Sequence, residues 1–188
     1  MKNLKTIALT LVVVFGTMTL SAQNKKIKAE NSSITWVGKK ITGQHNGKIN
    51  FTEGTLAFTG TKLKGGAFTV DMNSIIVSDL EGKSKNNLEG HLKSDDFFGV
   101  ANHSTATLVF KTIADKGSDV YNVTADLTIK QITQSVNFDM SIGDGTARAA
   151  FKIDRTKFDI KYNSGSFFDS LGDKAIYNDF DLTVSLVF

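Results

Sequence analysis

Apolar and polar residues alternate with a period of two along much of the chain. Near its end, Phe180-Asp181-Leu182-Thr183-Val184-Ser185-Leu186 alternates strictly and runs into Val187-Phe188. Tyr121, Val123, Ala125, Leu127 and Ile129 interleave with Asn122, Thr124, Asp126 and Thr128. The same rhythm recurs at Val136, Phe138, Met140 and Ile142, at Ala147, Ala149, Phe151 and Ile153, at Phe68, Val70 and Met72, and at Ile34 and Trp36. A period of two sends successive side chains to opposite faces of a pleated strand, one row toward a core and one toward water. Thr, Val, Ile and Phe dominate these rows, as suits such surfaces. Turn signals punctuate them at Thr42-Gly43, Asn46-Gly47, Gly65-Gly66, Lys116-Gly117-Ser118 and Gly143-Asp144-Gly145. Closely spaced strands with such turns predict an all-β sandwich or barrel rather than βαβ units. Leu80 to Val100 departs from the rhythm: Leu88, Leu92 and the pair Phe97-Phe98 recur near helical spacing. The spacing predicts a short helix around Asn87 to Ser94, lying over one end of the sheet.

The first residues follow a different logic. Lys2 and Lys5 precede an uncharged apolar run from Ile7 to Leu20, and Leu20-Ser21-Ala22-Gln23 supplies small residues for a processing protease. That order of charge, apolar run and small residues reads as a secretory signal. The run is shorter than the roughly 20 residues a membrane-spanning helix needs. Residues 1–22 are therefore expected to be a signal peptide and residues 23–188 a single domain, exported to the periplasm or the exterior and soluble once trimmed. The chain has no cysteine, so neither disulfides nor a cysteine-linked lipid anchor is expected. Its formal charge of +3 falls when Lys2 and Lys5 are set aside, and no nucleic-acid footprint is visible.

Candidate chemistry is sparse. His91 and Asp95, four residues apart, would share a helix face, whereas His45 and His103 lie elsewhere. No HxH or HExxH spacing and no thiol is present, so no metal site is expected; His91 reads as a structural hydrogen-bonding residue. Asp95-Asp96, Glu81 and Glu89 read as solvated charge, adjacent residues pointing apart. No GxSxG elbow appears, and the glycine pairs are too short for a phosphate loop. No catalytic residue or cofactor is assigned. Arg155, after the Phe151/Ile153 row, is expected either to pair with a carboxylate or to meet a polar ligand head. Fourteen phenylalanines against one tryptophan and three tyrosines provide bulk apolar surface, suited equally to a packed core and to a ligand lining.

Five phrases, in order, give the chain a family likeness: Ser33-Ile34-Thr35-Trp36 with Gly38 and Gly47; Leu63 through Ser74; Leu88-Glu89-Gly90-His91-Leu92-Lys93-Ser94-Asp95-Asp96-Phe97-Phe98; Leu127-Thr128-Ile129-Lys130 with Thr133; and Ile153-Asp154-Arg155-Thr156-Lys157-Phe158. Together they resemble the YceI-like family of bacterial exported proteins that bind polyisoprenoids and related long lipids. The chain departs from the family phrase at Gln131, where a glycine is usual. The resemblance implies a lipocalin-like, eight-stranded antiparallel barrel, closed at one end, with a short helical insertion near the mouth and a chain-like apolar ligand inside. It implies an apolar lining by Trp36, Phe51, Phe58, Phe68, Val70, Phe110, Leu127, Phe138, Phe151 and Leu182, with His91, Leu92, Phe97 and Phe98 at the mouth. The expected function is non-enzymatic: carriage or sequestration of a polyisoprenoid, an isoprenoid quinone or a fatty-acid-like lipid, held non-covalently. Transient membrane contact is allowed by this reading, and the oligomeric state is left open, a dimer included. Two alternatives stand beside it: a lipid-acting enzyme using His91 with Asp95 or Asp96, and a β module with a filled interior that binds a partner.

Overall fold

The computed structural model describes residues 22–188. The export signal expected over residues 1–22 lies outside the described residues, apart from Ala22. Nine strands follow in order: β1 (Ala22–Lys26), β2 (Ser33–Lys40), β3 (Gly43–Thr59), β4 (Lys62–Val77), β5 (Thr105–Gly117), β6 (Val120–Ile129), β7 (Ile132–Gly143), β8 (Thr146–Asp154) and β9 (Ile176–Val187). Among the described residues a single α-helix, α1 (Gly82–Lys93), stands between β4 and β5. Strands β2 to β9 form an eight-stranded antiparallel barrel, closed by β3 pairing with both β2 and β4. Closure leaves those strands no free edge to template aggregation. The long β3 serves twice on one side: its first half pairs with β2 and its last residues pair with β1.

Alternation explains the wall. Along β6 the odd positions Tyr121, Val123, Ala125, Leu127 and Ile129 are all buried, while the intervening polar residues are not. The two-residue turn from β6 to β7 uses Lys130 (φ 50°) and Gln131 (φ 63°), both left-handed. Such tight hairpins follow the strand twist with φ positive at both corners, and glycine or asparagine is the usual occupant. Gln131 thus holds the conformation without the glycine common at that place.

Two expected turns prove to be strand interior. Asn46-Gly47 lies within β3 and Gly65-Gly66 within β4. The glycines there serve close approach: a Cβ on Gly47 would stand 1.8 Å from the Ile76 carbonyl oxygen and 2.5 Å from Trp36 Cζ2. On Gly66 it would stand 2.6 Å from the Phe110 ring. The helix also starts earlier than its apolar spacing indicated. Residues 82–84 and 86–87 are polar or glycine and exposed, so they carry no periodic signal. Glu89 fixes the helix to the barrel by accepting the Val77 backbone N–H at 2.8 Å.

Chain reversals divide between the two ends. The β3–β4, β5–β6 and β7–β8 turns gather at one end with β1 and Phe188. At the other stand α1, the β2–β3 and β6–β7 turns and the long β8–β9 connection. Two buried clusters follow this division. One, including Leu56, Leu63, Tyr121, Val123 and Leu186, fills the closed end; the other, including Met72, Leu92, Phe97, Ile129, Ile153 and Phe158, lies beneath the helix.

Candidate functional site

A cavity of about 190 Å³ runs between these clusters. Its wall takes inward residues from every barrel strand: Ile34 and Trp36, Ile49 and Phe51, Phe68 to Met72, Leu108 and Phe110, Leu127, Phe138 and Met140, Phe151, and Phe180 to Leu186. Leu92, Phe97 and Phe98 close it from the helix side. All of the expected lining residues except Phe58 therefore face this space. Phe58 belongs to the closed-end cluster instead, its ring 5.7 Å from that of Phe188, where β1 pairs along β3.

Aromatic rings form a shelf across the interior. Phe138 and Phe151 stack with centroids 4.5 Å apart and planes 15° from parallel. Phe110 meets Phe138 edge-on at 6.1 Å, Phe68 meets Phe110 at 5.7 Å, and Phe51 meets Phe68 at 6.1 Å. Gly54 and Gly66 make room for the shelf, since a Cβ on either would strike the Phe68 or Phe110 ring. Beyond the rings the closed-end cluster is solid, with Leu56, Val123 and Ala125 fully buried.

Of the residues that border the space, the exposed ones, Tyr177 and Asp179, lie in the wall between β2 and β9, and this marks its way to the surface. The register there slips: Gly38 pairs with Phe180 but Lys40 with Ile176. Tyr177 to Asp179 form the resulting bulge, and the exposed Tyr177 and Asp179 border the cavity. A bulge re-aims side chains and loosens the ladder locally. Lys39, opposite it, is tied to Asp181 at 2.7 Å, and that hydrogen bond holds the Asp181 carboxyl below its ordinary range.

Polar groups near the cavity are few. Trp36 Nε1, a donor only, is buried without a partner. Arg155 borders the cavity and is only 3% exposed. Among the described residues it pairs with no carboxylate. Its guanidinium donates instead to the carbonyl oxygens of Tyr177 (3.1 Å), Ile160 (2.9 Å) and Ile176 (3.0 Å), and lies over the Phe97 ring at 5.7 Å. Burial lowers its pKa, yet an arginine stays charged across the accessible pH range. Arg155 thus straps the β8–β9 connection to the barrel, correcting the expected carboxylate pair.

His91 does not line the space. Its ring is edge-on between Phe97 (5.1 Å) and Tyr162 (4.5 Å), and its buried Nε2 has no hydrogen-bond partner. The structure therefore gives His91 an aromatic packing role where a hydrogen-bonding one was expected. Asp95 and Asp96 are exposed beyond the helix end. Among the described residues no three His, Asp or Glu side chains converge as a metal would need. Arg155 borders the space, as its alternative as a ligand-head contact implied, whereas sequence reasoning missed Tyr177 and Asp179 there and Tyr162 beside Phe97, because loop path and bulge, not alternation, place them.

A closed eight-stranded antiparallel barrel with an apolar interior space is lipocalin-like in architecture. The chain belongs to the YceI-like family, whose domain model matches residues 25–188. A UPF0312 protein of Shewanella denitrificans is 29% identical over 121 residues, 61% of each chain. A second UPF0312 protein, from Pectobacterium atrosepticum, is 28% identical over 116 residues, 58% of each chain. The matches thus span about three fifths of the length of these curated relatives. Among solved structures, Burkholderia cenocepacia BcnA superposes with a TM-score of 0.68 at 22% identity, covering 86% of this chain and 99% of that one. A polyisoprenoid binding domain from Saccharophagus degradans gives 0.60 at 12% identity, covering 89% and 97%. These likenesses establish the shared fold.

Proposed function

We propose that the protein is a non-enzymatic binding protein that carries or sequesters a long-chain apolar lipid, of the polyisoprenoid or isoprenoid-quinone kind, within the barrel. The observation that carries this reading is the apolar space itself, lined from every barrel strand and left open between two solid clusters. The polyisoprenoid-binding name of the Saccharophagus neighbour and the family membership support the ligand class. Burial is the mechanism: each methylene withdrawn from water contributes about 0.8 kcal/mol, so a chain binds with few polar contacts. The space exceeds the 150 Å³ engineered cavity that takes benzene, and is smaller than the 300–1,000 Å³ of ordinary ligand pockets. A short stretch of chain therefore fits as the rings stand. The rest of a longer one projects through the wall opening or displaces rings of the shelf.

An export signal over residues 1–22 accords with the carrier role, which places the protein in the periplasm or outside the cell, in transient contact with the membranes that hold such lipids. An enzymatic role for His91 with Asp95 or Asp96 finds no support, since none of the three borders the cavity. Organic extraction of the purified protein followed by mass spectrometry tests the proposal. A prenyl-chain lipid recovered in near-stoichiometric amount is the expected result. No bound lipid, together with no uptake of prenyl alcohols or quinones by the emptied protein, refutes it.

A further inference from the structure

The large apolar side chains left exposed are not scattered. Ile41, Ile76, Tyr162, Phe167, Phe168 and Tyr177 are each 38% exposed or more, and all stand at the helix-bearing end of the barrel. Val109, on the outer wall, is the exception among the described residues. Four of the six belong to the β8–β9 connection and its entry into β9. Ile41 touches that connection directly, its backbone N–H donating to Ala175 at 3.3 Å. Isolated apolar residues on a surface need no explanation, whereas a contiguous group does.

Part of the group lies against the cavity. Tyr177 borders the cavity, and Tyr162 packs at 5.7 Å on Phe97, which lines it. The Phe167-Phe168 pair is held outward from a fixed base. Ser164 is fully buried, its hydroxyl donates to Asn178 Oδ1 at 2.7 Å, and Asn178 Nδ2 donates to Ser166 at 2.8 Å. The backbone N–H groups of Phe167 and Phe168 both reach the Ser164 carbonyl at 3.0 Å. Above this base both rings remain 50% exposed, with Lys161 Nζ 5.2 Å from the Phe167 centroid.

We propose that this rim docks on a lipid bilayer, Phe167 and Phe168 inserting among the acyl chains while Tyr162 and Tyr177 settle at headgroup level and bring the opening to the membrane. The inference rests on the lipid-carrier reading and deepens it by naming the surface through which ligand is exchanged. Three features favour a bilayer over a protein. Two adjacent, half-exposed rings offer a small wedge, not the roughly 800 Å² per partner of a stable protein interface. Phenylalanine with tyrosine beside it is the composition that anchors proteins in the interfacial zone. The opening for an apolar ligand lies within the same patch, so docking removes the water that ligand would otherwise cross. Along the connection Asp159, Asp169 and Asp173 nearly balance Arg155, Lys157, Lys161 and Lys174. Apolar insertion, not attraction to anionic lipid, is therefore the driving force.

Co-sedimentation with phosphatidylcholine vesicles, run beside lipid extraction of the same preparation, tests this. The wild-type protein sediments with neutral vesicles, and raising the salt does not release it. The double variant Phe167→Ser/Phe168→Ser retains its extractable lipid and its circular-dichroism spectrum, yet its vesicle partition falls tenfold or more, the scale set by withdrawing two large apolar side chains. A lipid-bearing wild-type protein that stays in the supernatant overturns the docking proposal and leaves the carrier reading standing, as does a double variant that sediments unchanged. Self-association of the wild type, abolished in the double variant without any vesicle binding, assigns the patch to a second copy and also overturns it. Absence of lipid from every preparation strikes the carrier reading instead.

Discussion

Replacing Phe138 by alanine removes the keystone of the aromatic shelf. Its ring is 5% exposed, stacks on Phe151 and meets Phe110 edge-on. A buried Phe→Ala change costs about 3–5 kcal/mol, the cost rising with the cavity left behind. In a chain of this size each kcal/mol lowers Tm by roughly 2–4 °C, so the emptied variant is expected to melt about 6–20 °C below the wild type. The space opened joins the existing cavity on its deep side, where Phe110, Phe138 and Phe151 bound it. Each further five-carbon prenyl unit admitted there brings up to about 4 kcal/mol of burial.

The stability cost and the binding gain therefore have opposite signs, which makes the experiment decisive. Thermal melts of delipidated protein with prenyl alcohols of increasing length read both. The wild type gains Tm with chain length up to a plateau. Phe138→Ala starts lower, but its plateau lies at least one prenyl unit further out, because ligand occupies what the ring vacated. A variant destabilised by the expected amount whose plateau does not move refutes the shelf as the floor of the site. A protein whose melting no prenyl chain alters refutes the binding argument beneath it.

Glycine substitutions separate two roles. Gly47→Ala drives a Cβ to 1.8 Å from the Ile76 carbonyl. Overpacking costs about 1–3 kcal/mol where side chains can yield, and backbone yields less, so a denaturant titration should show at least that loss. Gly90, inside α1, has open space about its missing Cβ, and Gly90→Ala should raise stability by about 0.4–1 kcal/mol. Acid should destabilise the fold through its paired aspartates. Lys39 lowers the Asp181 pKa, Lys116 that of Asp139, Lys62 that of Asp115 and Lys161 that of Asp159, each chiefly by a direct hydrogen bond. A folded-state pKa below the unfolded 3.8 gives stability that is present above that value and lost as pH falls through the folded one. Urea midpoints should hold steady from pH 7 to about 5 and fall below pH 4. A midpoint that rises toward acid contradicts the pairing.

The barrel was legible wherever alternation is uninterrupted. β2, β6, β7, β8 and β9 follow the period-two rows, and their inward residues line the cavity. β5 escaped because its ladder slips between Phe110 and Thr112. Ala106, Leu108 and Phe110 keep one parity and Ile113 takes the other, so a single row cannot be read across it. β3 escaped for a related reason, with bulges near Lys48, Phe51 and Ala57 and glycines that read locally as turns. β1 carries the polar sequence Ala-Gln-Asn-Lys-Lys and is fixed by β3, not by any apolar face of its own. Of the site, Leu92 of the helix and Phe97 and Phe98 just beyond it followed from helical spacing and the family phrase. The Arg155 strap could not be foreseen, since its carbonyl partners lie on residues 160, 176 and 177, brought together only by the path of the β8–β9 connection.

The division of the interior into two clusters bears on how such a small barrel can keep a space at all. Eight strands enclose an interior that side chains can just fill, and an empty apolar volume forfeits contact on all its walls. At the closed end that loss is offset by Leu56, Leu63 and Val123, packed without exposure beneath β1. At the other end the helix covers the barrel and is tied down by Glu89 and by the rings around Phe97. The opening lies in the wall at the β2–β9 bulge, where Arg155 holds the Ile176 and Tyr177 carbonyls and Lys39 holds Asp181. A fold arranged in this way keeps the cost of an empty site local, and the exposed rings of the β8–β9 connection precede the strand whose register slips against β2.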